Sequence, residues 1–258
     1  MKKRLGIIGL LLAVVGFIFV VAGGVAYMRV QDGYDSLQAF SEVQNVELSY
    51  NEDGQLIDRG STEGADAIMI MLTDEWNYPV VDSDMDPNDP LVNTGSEYMF
   101  QMATIIHHVI DDTQIVTLTG DDITAAIASG QLAEDGTYEG VVVAYQGQVL
   151  EPGVYEVPVD GRYWTGFNRM DLLDGPARSQ AWSGTVHGLV GELSVGTVTH
   201  STLQMGLALS GLLAGLGLVF LGTGGGLFWA SRGRKQIPDT VPEAFLTETI
   251  EDKDVVKA

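Results

Sequence analysis

Two uninterrupted apolar runs constrain this chain more than any other feature: LGIIGLLLAVVGFIFVVAGGVAYM over residues 5–28, and LQMGLALSGLLAGLGLVFLGTGGGLFWA over residues 203–230. Neither contains a charged residue. Each exceeds the roughly 20 residues that a helix needs to cross a hydrocarbon core of about 30 Å. Both are expected to be transmembrane helices. Lys and Arg beside a span resist translocation, whereas acidic residues have little influence on orientation. Lys2, Lys3 and Arg4 precede the first run, and Arg232, Arg234 and Lys235 follow the second. Both termini are therefore expected on the cytoplasmic side of the plasma membrane, with the region between the runs extracytoplasmic.

The first run also invites a cleaved signal peptide, because a basic stretch precedes it and Gly24, Val25 and Ala26 offer small residues for cleavage. It is longer than the roughly 7–15 apolar residues of a signal core, so an uncleaved anchor is expected.

Charge is segregated as sharply as hydropathy. The whole chain is 45% hydrophobic and has a formal charge of −22. Residues 31–202 hold 29 Asp and Glu against four Arg (Arg59, Arg162, Arg169 and Arg178) and no Lys. Such a surface either repels anionic polymers and gathers cations near the membrane or simply stays soluble in a salty medium, and the second is the expected reading. It has no basic patch to neutralise phosphates, which excludes nucleic acid as a partner. The absence of cysteine removes disulfides, a lipid-modified cysteine, thiol catalysis and thiolate metal sites.

The intervening segment is expected to be α+β, giving an α+β extracytoplasmic domain between two transmembrane α-helices. The order is a basic N-terminus (1–4), helix (5–28), acidic domain (29–202), helix (203–230) and a polar, disordered cytoplasmic tail (231–258). Tyr34, Leu37, Phe40 and Val43 recur at helical spacing and predict a short juxtamembrane helix. Alternation around Asn51, Glu52, Asp53 and Gly54 predicts a hairpin with strands at 45–50 and 55–59. Ser61 is placed to cap a helix reaching Glu75, with Ala65, Ile68, Met69 and Leu72 on its apolar stripe. A capping box at Thr94 and Glu97 opens a second helix to about Ile110. Strands are expected at 113–119, 137–146 and 154–160, with a short helix over 121–132. Pro176 can open a last helix carrying Trp182 and His187 toward the second span.

The stretch VDSDMDPNDP sets Asp82, Asp84, Asp86 and Asp89 at alternating or near-alternating positions, as the first half of a calcium loop does. An EF-hand needs Gly at its sixth place and Glu at its twelfth. Counted from Asp82, these places hold Pro87 and Asn93, which rejects the motif. What remains is an acidic turn leading into a helix cap, with weak Ca2+ binding by the four aspartates as the alternative. Apart from that option, no cofactor is expected.

His107 and His108 are adjacent and point about 100° apart on a helix, whereas shared ligation requires i, i+3 or i+4. Ser183 and His187 have that spacing but lack any hydrolase motif around them. Within the second run, Gly211 with Gly215 and Gly222 with Gly226 form GxxxG pairs, which let helix backbones approach closely. They could serve the first span, where Gly9, Ala13 and Gly16 offer a comparable face, or a second copy of the chain. Neither run holds an Asp, Glu, His, Lys or Arg, which argues against an ion pathway.

In YNEDGQLIDRGSTEGADAIMIML, DPNDPLVNTGSEYMFQMATI and the flanking runs, the chain resembles uncharacterised two-span membrane proteins of high-GC Gram-positive bacteria. Some proteins of that layout carry an aromatic ring-opening dioxygenase label, which implies iron held by two His and a carboxylate. His107, His108, His187 and His200 give no recognisable spacing for such a triad, so no catalytic residue is carried over. The expected role is a non-enzymatic interaction or scaffold module of the cell envelope. Its expected partners are the bilayer and another envelope protein, or a second copy through the second span. The alternatives are a calcium-responsive sensor and an enzyme with an unfamiliar site.

Overall fold

The computed structural model describes residues 2–162 and 165–232, so the tail from 233 onward lies outside the described residues. The elements are α1 (Lys2–Gln44), α2 (Thr62–Ile70), a π-helical turn (Met71–Glu75), a 3-10 turn (Asp82–Asp84), α3 (Gly95–Val109), β1 (Thr113–Leu118), α4 (Gly120–Ser129), a 3-10 turn (Val143–Tyr145), β2 (Gly153–Pro158), α5 (Asp174–Ala181) and α6 (Gly184–Ser231). Contacts divide the chain into two units, one from Met1–Ala26 with Leu209–Ala258 and the other Tyr27–Ala208.

The first unit pairs the two apolar runs. Both lie in helices long and apolar enough to cross a membrane. Large side chains point outward along both, with Phe17 61% and Leu218 63% exposed. The backbones meet at glycine. A Cβ added to Gly16 would lie 2.6 Å from the carbonyl oxygen of Gly217, and one on Gly9 would lie 2.6 Å from that of Gly224. One on Gly23 would lie 2.8 Å from both the Ser210 carbonyl oxygen and the Ala214 amide nitrogen. Bare glycine at these points lets dispersion contacts form along the whole seam.

The second unit mixes helices with a small sheet and has two cores. Leu48, Ala65, Ile68, Leu72, Tyr98 and Phe100 anchor one, joined by Leu37 of α1 and Leu193 of α6. Ser61 caps α2 by accepting a hydrogen bond from the Gly64 amide at 3.1 Å. Thr94 and Glu97 form the expected reciprocal box at the start of α3. The other core gathers Val116, Leu118, Tyr138, Leu150, Val157 and Leu173 around the antiparallel β1–β2 pair, whose register runs from Thr113 opposite Pro158 to Leu118 opposite Gly153.

Several expected elements take a different form. The juxtamembrane helix is not separate: α1 continues unbroken to Gln44, since no proline interrupts it and the helix carries Gly33 through. The hairpin at 45–59 reduces to isolated bridges. Tyr50 pairs with Leu56, and Glu47 pairs with Leu91 instead of a hairpin partner. The turn itself is present, with Gly54 at φ +74° and the Asn51 side chain accepting from the Asp53 and Gln55 amides.

The strand expected at 137–146 does not form. The Tyr138 hydroxyl donates to Asp171 Oδ1 at 2.7 Å and accepts from the Val142 amide at 3.1 Å, bending the chain into a tight loop. Local β propensity yields here to a buried polar cluster. The helix capped by Ser61 is α-helical only to Ile70 and then widens into the π turn. Pro176 lies within α5, but this helix stops at Ala181, and His187 belongs to α6.

Candidate functional site

The acidic stretch is held by the first core. Ser96, buried in the first turn of α3, donates to Asp84 Oδ2 at 2.8 Å and accepts from the Val81 amide at 3.0 Å. Asp86 accepts from both the amide and the side chain of Asn88, at 2.9 and 2.8 Å. These bonds, the backbone one first, hold its carboxyl below the usual value. Asp82 and Asp89 are exposed. Among the described residues no group of three or more His, Asp or Glu side chains is arranged to hold a metal ion. The four aspartates thus form a turn in which Asp84 points toward α3 and Asp86 closes on its own backbone.

Glu97 is fully buried at the start of α3. Its Oε2 accepts from the Asn93 amide (3.0 Å), the Thr94 amide (2.9 Å) and the Thr94 hydroxyl (2.9 Å). Burial nevertheless pushes its carboxyl above the ordinary 4.5, against the pull of those donors. A carboxyl whose folded value is raised binds its proton more tightly in the folded state. Its contribution to stability is therefore fully present below 4.5 and is lost as pH rises through the folded value. Glu97→Gln should accordingly gain apparent melting temperature relative to the parent between pH 4.5 and 7 in circular dichroism melts. Glu97→Ala strands three donors and should lose about 1–3 kcal/mol at every pH. Parallel pH profiles for parent and Glu97→Gln would rule out the assignment.

Beside the turn lies a hollow of about 440 Å³, lined by Tyr50, Leu56, Met69, Val80 and Met85, with Thr73 of the π turn and Asp82 as its polar members. Its size and apolar lining fall within the range of small binding sites. A second hollow of about 180 Å³ shares Leu56 and Met69 with the first and is bordered by Asp66 and Thr62. The two adjoin at Leu56 and Met69, outlining a groove along α2. The Tyr50 hydroxyl is the single buried side-chain polar atom without a hydrogen-bond partner among the described residues. Burial, then the charges of Glu97 and Asp86, raise its pKa.

His108 makes a pair that sequence spacing could not reveal. Its Nε2 lies 2.7 Å from Asp58 Oδ2, with the side chains only 16% and 12% exposed. Asp58 sits fifty positions earlier, in the tight turn through Arg59 and Gly60. The pair is half of a charge-relay arrangement, but no hydroxyl hydrogen-bonds to His108 among the described residues. The His107 ring meets that of His108 edge-on at 5.2 Å. Ser183 caps α6 by accepting from the Val186 amide, and His187 Nδ1 lies 3.0 Å from the Ser183 carbonyl oxygen, so the hydroxyl and imidazole are not joined as nucleophile and base. His200 is buried against Tyr34 and the start of α3. The four histidines do not assemble into a triad with a carboxylate.

The glycines singled out in the second run lie off the seam. A Cβ at Gly211, Gly215, Gly222 or Gly226 would meet nothing within 4 Å, whereas Gly217 and Gly224 make the close contacts with α1. Gly9, Ala13 and Gly16 do lie on the contacting face of α1. Comparison of the chain with family models, with curated proteins and with solved structures finds no match.

Proposed function

We propose that this chain is a two-span integral membrane protein of a bacterial cell envelope that presents its acidic α+β region outside the membrane as a non-enzymatic interaction module. Both termini lie in the cytoplasm. The observation that carries the reading is the outward apolar surface of the paired helices. Phe17, Leu218 and Trp229 (78% exposed) leave a cylinder that water would hydrate unfavourably and lipid would cover. The basic residues around positions 2–4 and 232–235 favour the orientation. The groove along α2 supports the binding reading, since apolar side chains make most of its wall and the Thr73 hydroxyl donates to the Met69 carbonyl at 2.9 Å and to Asp74 Oδ1 at 3.0 Å. Self-association would use the open α6 surface at Gly211, Gly215, Gly222 and Gly226.

The chain has no cysteine, so single introduced thiols report topology without a background. Val143→Cys, at a side chain 79% exposed, should react with a membrane-impermeant maleimide on intact spheroplasts. Thr240→Cys should react only after permeabilisation. The protein should also stay in the membrane pellet through an alkaline carbonate wash. Release by carbonate would end the membrane reading, and reversed labelling would end the orientation.

A further inference from the structure

We propose that the groove along α2 binds a cationic amphipathic peptide segment, with an aliphatic side chain in the larger hollow and Lys or Arg side chains at Asp82 and Asp66. The proposal rests on the interaction-module reading and specifies its partner. The two hollows adjoin at Leu56 and Met69, which line both, and the larger one presents Met69, Met85, Val80 and Tyr50 as an apolar floor. Methionine adapts to differently shaped apolar groups and is over-used at surfaces that accept varied peptides. One carboxylate stands at each hollow, and no basic residue lines either. Asp86 and Glu52 are exposed in the flanking turns. The segment between the apolar runs is itself short of cations, with four Arg against 29 acidic residues, so the groove has few cations of its own to fill it. Charge complementarity selects a cationic partner and speeds its encounter, while the apolar hollow supplies affinity. Thr73, in the wall, belongs to the π turn, an irregularity that recurs where helices carry binding sites.

The test uses the full-length protein in a non-ionic detergent and fluorescence anisotropy of a labelled short peptide alternating lysine with leucine. Micelles remove orientation from the question, so failure here leaves the topology reading standing, and the converse also holds. Binding of that peptide should exceed that of a lysine–serine peptide and of a glutamate–leucine peptide. Thr73→Trp, which fills the hollow, should weaken it by about tenfold, equivalent to about 1.4 kcal/mol. Asp82→Lys, a change at an exposed side chain that folding tolerates, should weaken it by at least about threefold. Asp121→Asn, on exposed α4 away from the groove, should change nothing. The proposal is overturned if the lysine–serine peptide binds as tightly, which would mean diffuse attraction to an acidic surface. It is equally overturned if Asp121→Asn weakens binding as much as Asp82→Lys does, or if both groove variants bind like the parent.

Discussion

Asp174→Ala should remove about 3–5 kcal/mol of stability from the half of the second unit that carries the sheet, the range expected when one partner of a buried ion pair is deleted. Asp174 has no exposed surface and accepts from the Arg162 guanidinium and the Asn168 amide. The same guanidinium donates to the Pro158 carbonyl at 2.8 Å and to the Gly166 carbonyl at 3.2 Å, and lies 4.8 Å from the centre of the Phe167 ring. A single cation thus ties the end of β2 to the loop before α5. Without the carboxylate, that cation stays 20% exposed and uncompensated. Replacing both partners, as in Arg162→Met with Asp174→Leu, should lose less than the single change, because no charge is then left buried. Urea unfolding of the three variants, followed by circular dichroism, ranks them directly. A double variant no more stable than Asp174→Ala would show that the pair is not the link.

Gly196→Ala should lose about 2–4 kcal/mol, combining overpacking of about 1–3 with a broken buried hydrogen bond of about 0.5–1.5. A Cβ at 196 would lie 2.6 Å from Cδ1 and Cε1 of Tyr98. That ring is 1% exposed, and its hydroxyl lies 2.7 Å from Ser41 Oγ, itself buried. The ring has nowhere to retreat without giving up the bond to α1. Tyr98→Phe isolates the hydrogen bond and should lose about 1 kcal/mol, leaving the Ser41 hydroxyl short of a partner. If Gly196→Ala melts like the parent, α6 can slide past α3 and the contact is soft.

Local grammar was readable in the sequence where one residue's chemistry determines one piece of backbone. Ser61 and the Thr94–Glu97 pair cap the helices expected of them. The box at Thr119 and Asp122 escaped notice because Asp stands where Glu or Gln is usual, although Asp122 Oδ2 receives the Thr119 amide at 2.7 Å. Distant polar pairs were not readable. Nothing periodic links Asp58 to His108 or Tyr138 to Asp171, yet the second of these pairs turns a β-branched run into a loop. The acidic stretch was legible as a turn before a cap, but the groove beside it was not, since Leu56, Met69 and Met85 come from separate segments. In the spans a four-residue spacing is legible, but the contact between the two helices follows a different period. Four-residue spacing marks Gly211 and Gly215, whereas the buried positions of α1 from Gly9 to Leu37 are Gly9, Gly16, Gly23, Val30 and Leu37, one every seven residues, with Ser41 following at four.

That period gives the helical hairpin a handedness. A straight α-helix drifts by about 20° per heptad relative to a strict seven-residue repeat, so the seam of Gly9, Gly16 and Gly23 against Ser210, Gly217 and Gly224 stays closed only if the two helices wind around each other to the left. The spans are consequently sensitive to length more than to composition. An apolar residue on the outer face can be exchanged for another, but one residue inserted between Gly217 and Gly224 rotates all that follows by about 100°. Thr223 would then take the place of Gly224, where a Cβ meets the Gly9 carbonyl oxygen and the Ala13 amide nitrogen at 2.5 Å.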